Sequence, residues 1–137
     1  MRHAMALFCD DVRFETGNKL SFMGVYGADL VGTGDPPVTL RGLAVIVQAF
    51  TPTTKPFERL AVTVLRDDEI LAQAEAPDLP KEPAPSGRTA FKFQFVLQLG
   101  PIEFEKDCIL SARVETESET LDAGRIHVKI VSRPTLK

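Results

Sequence analysis

The chain has no tryptophan, one tyrosine, two histidines and two cysteines among its 137 residues. Without tryptophan it cannot carry the Cys–Trp–Cys core of antibody domains. Two histidines, His3 near the start and His127 near the end, with two distant thiols, make no zinc-ligand spacing. No GxSxG nucleophile elbow occurs, and no glycine-rich loop follows a strand and opens a helix, which excludes P-loop and dinucleotide-binding sites. No apolar run approaches the roughly 20 residues of a membrane helix. No block of Lys and Arg stands against the net charge of −3, so neither nucleic acid nor an anionic membrane is an expected partner. Met1 to Asp11 has a positive start but lacks the apolar stretch of a secretory signal. A cytoplasmic location is therefore expected. Cys9 and Cys108 are then expected as reduced, buried thiols rather than a disulfide between the first and penultimate strands.

What is present is alternation. Phe91, Phe93, Phe95, Leu97 and Leu99 fall on one face of an extended chain, and Lys92, Gln94 and Gln98 on the other. An exposed version of that face could stack nucleobases, but its continuation into Leu97 and Leu99 marks it as core. Cys108, Leu110, Ala112 and Val114 repeat the pattern, as do Ile126, Val128 and Ile130 around an outward His127. Leu43 to Phe50 is apolar on both faces apart from Gln48, as expected of a strand covered on both sides or lying in an interface. Arg66-Asp67-Asp68-Glu69 and Glu117-Ser118-Glu119 are short enough for hairpin turns. Breakers fall at 32–37 and 51–56, and 77–87 holds four of the ten prolines. One helical turn around Asp78 to Lys81 is the only helix considered.

Eight strands are predicted, at Leu7–Phe14, Lys19–Leu30, Thr39–Phe50, Phe57–Arg66, Glu69–Ala76, Arg88–Leu99, Asp107–Thr116 and Leu121–Val131. Eight strands in one domain spanning 1–137 fit an all-β, two-sheet Greek-key sandwich, immunoglobulin-like or C2-like, with a closed β-barrel as the alternative.

The most unusual segment is the first hairpin. Adjacent acids in a strand are disfavoured, and plain alternation turns one of Asp10 and Asp11 inward. With Cys9 inward, Asp11 and Arg13 point the same way, and Arg13 or Tyr26 would have to satisfy the carboxylate. Two readings follow: an Asp–Arg pair that fixes register, or a polar site formed by Asp10, Asp11, Arg13 and Tyr26 that binds a ligand or peptide. Gly24 and Gly27 around Val25-Tyr26 point to a bulge. A weaker alternative is a calcium site at the loop ends built from Asp35, Asp67, Asp68 and Glu69; no DxDxDG run supports it, and solvated turns are the ordinary explanation. A Cys9–His127 or Cys108–His127 dyad has no support from spacing. No cofactor is expected.

The stretch Phe8-Cys9-Asp10-Asp11-Val12-Arg13-x-Glu15-x-Gly17-x-Lys19-x-Ser21-x-x-Gly24-x-Tyr26 resembles the opening of a family of small bacterial all-β domains that begin with a Cys-Asp-Asp-(Ile/Val)-Arg hairpin. The resemblance implies a bacterial origin and a domain without an assigned activity, and it brings no catalytic residue. The expectation is a non-enzymatic protein-binding or assembly module that meets a protein partner or itself. The rival is a small-ligand binder or enzyme at the first hairpin.

Overall fold

The structure, a computed structural model, describes residues 1–79 and 87–132. Eleven strands follow one another: β1 (His3–Glu15), β2 (Lys19–Val25), β3 (Asp29–Thr33), β4 (Val38–Leu40), β5 (Leu43–Pro52), β6 (Leu60–Arg66), β7 (Glu69–Glu75), β8 (Ala90–Leu99), β9 (Ile102–Phe104), β10 (Cys108–Thr116) and β11 (Thr120–Val131). Among the described residues there is no helix, and so none long and apolar enough to cross a membrane. The proline-rich connection and the turn considered at 78–81 fall partly on residues 80–86, outside the described residues.

Two open sheets pack face to face. One has the order β2-β1-β5-β8 and the other β3-β11-β10-β6-β7, with β4 and β9 pairing as a small third sheet. All neighbours are antiparallel except β3, which runs parallel to β11. Read as A, B, C, C′, E, F and G, the strands β1, β5, β6, β7, β8, β10 and β11 form A-B-E on one sheet and G-F-C-C′ on the other. That is an immunoglobulin-like order. The described strands form no closed barrel.

The sandwich forms because alternation supplies two facing apolar surfaces. Val45 and Val47 of β5, Val62 and Val64 of β6, and Leu110 and Val114 of β10 are fully buried between the sheets. Each such side chain contributes about 1.5–3 kcal/mol relative to an exposed position.

Eleven strands replace the eight predicted for two reasons. Apolar runs do not reveal where a strand changes sheet. The predicted strand Lys19–Leu30 is β2 and β3, which lie in different sheets, and the chain crosses between them at Tyr26 to Ala28. Thr39–Phe50 likewise splits into β4 and β5 at Arg41-Gly42. The three-residue β9 lacks the length to show periodicity, yet Ile102 and Phe104 are buried in the core. The turn into β9 requires Gly100: its φ is +147°, and a Cβ there would lie 2.2 Å from the Arg41 carbonyl oxygen.

The second face of β5 is covered from within the chain. Ala44 and Ile46 point away from the main core and pack with Cys9, Val12, Leu20, Phe22 and Val96 in a separate cluster. The β1–β2 hairpin thus folds back over the outer face of its own sheet. Its tip reaches β8, where Phe14 and Leu20 line a shallow cleft with Gln94 and Val96. Of the two explanations for the doubly apolar strand, cover on both sides is the one found.

Candidate functional site

Cys9 and Val12 lie three residues apart yet pack in one cluster, which plain strand alternation does not allow. The break falls at Asp10-Asp11. Pairing with β2 passes from Cys9–Val25 to Asp11–Met23 without an Asp10–Gly24 pair, and Gly24 has φ +67°. This corrects the side-chain directions read from alternation. Cys9 is fully buried, whereas Asp10, Asp11 and Arg13 are all exposed, so neither acid faces inward.

Each conspicuous residue of the hairpin has a local task. The Tyr26 hydroxyl donates to Asp10 Oδ1 at 2.5 Å. Burial, reinforced by the Asp10 carboxylate, pushes the Tyr26 phenol up to about 12. The other Asp10 oxygen occupies the place where a Gly24 Cβ would stand, 2.2 Å away. Asp11 Oδ1 accepts from the Val12 N–H at 2.8 Å, and the Cys9 thiol points at the Asp11 carbonyl at 3.4 Å. The expected Asp11–Arg13 pair does not form: Tyr26 serves Asp10, and Arg13 has no carboxylate within ion-pair distance among the described residues. Gly24 marks a close approach of the Asp10 side chain, and Gly27 lies where the chain leaves the sheet.

Clefts open elsewhere. One, of about 590 Å³, is lined by Phe57, Arg59, Glu75, Asp78 and Leu79 among others. Its Arg59 is held by Glu75 at 3.4 Å and Glu115 at 3.7 Å. A second, about 370 Å³, includes Asp67, Asp68, Glu69 and Glu103. Asp10, Asp11, Arg13 and Tyr26 line neither of these two clefts nor the shallow one at the hairpin tip.

The loop acids are only partly brought together. Asp67, Asp68 and Glu69 share the second cleft, and Asp35 does not line it. Asp67 accepts from the Ile109 N–H at 3.0 Å, and Glu69 accepts from Arg66 at 2.9 Å. Among the described residues no three His, Cys, Asp or Glu side chains converge as a metal site. Both cysteines are free and buried, and burial raises both thiols. Cys108 faces the core opposite Val128, while His127, paired with Ile109, is exposed on the opposite face of that sheet. Neither cysteine–histidine dyad is assembled there.

Two features escape the sequence reading. One is Arg2, whose side chain is only 2% exposed. Its guanidinium forms an ion pair with Glu117 and donates to Thr51 Oγ1 (3.1 Å), Thr116 Oγ1 (3.4 Å), Ser118 Oγ (3.4 Å), and the Lys55 (3.3 Å) and Pro56 (3.0 Å) carbonyls. It also lies 4.7 Å from the centre of the Phe57 ring. Glu117 further accepts from the Glu58 N–H at 2.6 Å. Hydrogen bonding to Arg2 holds the Glu117 carboxyl down at about 2. This cluster ties β1 to the β5–β6 connection and the β10–β11 turn.

The other feature is an edge. β8 pairs with β5 over ten consecutive residues, Leu43–Leu99 through Pro52–Ala90, without a register shift. Among the described residues nothing pairs with its other side. Its charge pattern was visible in the sequence: Lys92 is the only charged residue, and proline is absent. Compared with protein-family models and with curated proteins, the chain matches none.

Proposed function

We propose that the chain is a non-enzymatic binding or assembly module of a bacterial cytoplasm, and that it meets its partner by strand addition at the edge of β8. The observation that carries this reading is the contrast among the four edges. Natural sheets blunt their edges with charge, proline, bulges or short length. β7 carries Glu69 and Glu75 at its ends and pairs with β6 through a register shift. β3 is five residues long, with Asp29 3.7 Å from Lys129. β2 contains the positive-φ Gly24. β8 carries a single charge, Lys92, and has neither proline, register shift nor short length. An exposed strand edge offers backbone donors and acceptors, and alternate side chains add selectivity.

Two supports bear on setting. Free, buried thiols suit a reducing compartment. The bacterial assignment rests on the likeness of the Cys9-Asp10-Asp11-Val12-Arg13 hairpin to the small bacterial family. At the rival site Asp10 is already held by Tyr26, in the room that Gly24 leaves for it.

The test is photo-crosslinking of the full chain in bacterial cells, with the reactive residue placed at Gln94 on β8 or at Lys129 on β11. Adducts concentrated at position 94 are expected. Equal yields at the two positions, or none at 94, would overturn the reading.

A further inference from the structure

We infer that the occupant of the β8 edge is a second copy of this chain, paired antiparallel with its own β8 about a two-fold axis at Phe95. This rests on the edge reading above and commits it to one partner. Under that register Phe91 faces Leu99, Phe93 faces Leu97, and Phe95 faces itself on the core side. Lys92 faces Gln98 and Gln94 faces Val96 on the outer side. Every pair joins residues of the same face, as strand pleating demands. No like charges stand opposite each other, whereas an axis at Lys92 would oppose two lysines.

Three observations favour this occupant. Phe93, Phe95 and Leu99 pack against the core yet are only half-buried, and among the described residues no strand is hydrogen-bonded beyond β8. A paired β8 would complete their cover and join two four-stranded sheets into one of eight. Phe14, at 71% exposure among the most exposed large apolar side chains, lies with Gln94 and Val96 around the shallow cleft on the hairpin tip. Those two residues flank the axis, so Phe14 stands where the partner's outer face would arrive. The edge itself carries only one charge, Lys92.

Sedimentation of the full chain across a wide concentration range at low salt tests the register by charge. Gln98 is exposed, and its β5 neighbour is Ala44, so changing its charge leaves the fold intact. Gln98→Lys opposes Lys92 twice across the axis and is expected to weaken the dimer about tenfold. Gln98→Glu is expected to tighten it by a similar factor, and Lys92→Glu combined with Gln98→Lys to restore it. Phe14→Ser is expected to weaken it. A dimer indifferent to the sign of the charge at position 98 would overturn the register. A monomer at every concentration would overturn self-pairing. If the crosslinker at Gln94 still captures other proteins in that case, the module reading stands without it; if it captures nothing, both fall.

Discussion

The start and the middle of β1 handle polar residues in opposite ways. Just before its start, Arg2 is buried, donates hydrogen bonds to three separate segments and pairs with Glu117. In its middle, Asp10, Asp11 and Arg13 stand in water, and only Asp10 has a side-chain partner, Tyr26. The conspicuous acid pair therefore shapes a local bend, while an unremarkable arginine secures one end of the sandwich. A dense charge pattern in a sequence identifies neither burial nor importance; the topology that surrounds a residue decides both.

The contrast orders the expected effects of substitution. Arg2→Ala removes the cation paired with Glu117 and the donor to Thr51 Oγ1 and the Pro56 carbonyl. It is expected to cost about 3 kcal/mol or more in denaturant unfolding. Because the Glu117 carboxyl sits at about 2, below its ordinary value of 4.5, its contribution is complete above pH 4.5. It is lost as pH falls through 2. Acid titration of stability should show that loss in the native chain and a flattened profile in Glu117→Gln, with about 2 kcal/mol less stability at pH 7. Gly24→Ala imposes a positive φ on a side chain and drives Asp10 away from Tyr26, at a cost of about 1–2 kcal/mol by thermal unfolding. Tyr26→Phe removes one half-buried hydrogen bond and is expected to cost about 1 kcal/mol. In Asp10→Asn the phenol should titrate below 12 yet stay above its ordinary value, because burial remains, as followed by ultraviolet absorbance. Arg13→Ala should change stability by less than about 0.5 kcal/mol. A large loss there would erase the distinction between the two regions.

Much of the fold was legible because it depends on local periodicity. The faces of β8, β10 and β11 and the turns at 66–69 and 117–119 follow from alternation and turn chemistry alone. The break between β2 and β3 was not, since a strand that changes sheet keeps its apolar residues. The directions of Asp11 and Arg13 failed for a related reason: alternation was extended across a bend that Gly24 makes possible. Arg2 was illegible, because its partners at Thr51, Pro56 and Glu117 meet only after folding. The double apolarity of Leu43–Phe50 was correctly seen, but which element covers the outer face depends on the bend at Asp10. The open edge of β8 is different again. Its composition was plain in the sequence, and its place at the end of a sheet was not.

The central claim is that this molecule meets others through the backbone of β8 and not through the side chains of its first hairpin. Residue-resolved amide exchange of the full chain at low and high concentration tests it most directly. The account predicts that alternate amides between Phe91 and Leu99, fast in dilute solution, become protected on concentration and stay fast in Gln98→Lys, with Asp10 to Arg13 unchanged throughout. Protection that gathers instead at Asp10 to Arg13, or β8 amides that exchange alike at both concentrations, would contradict it.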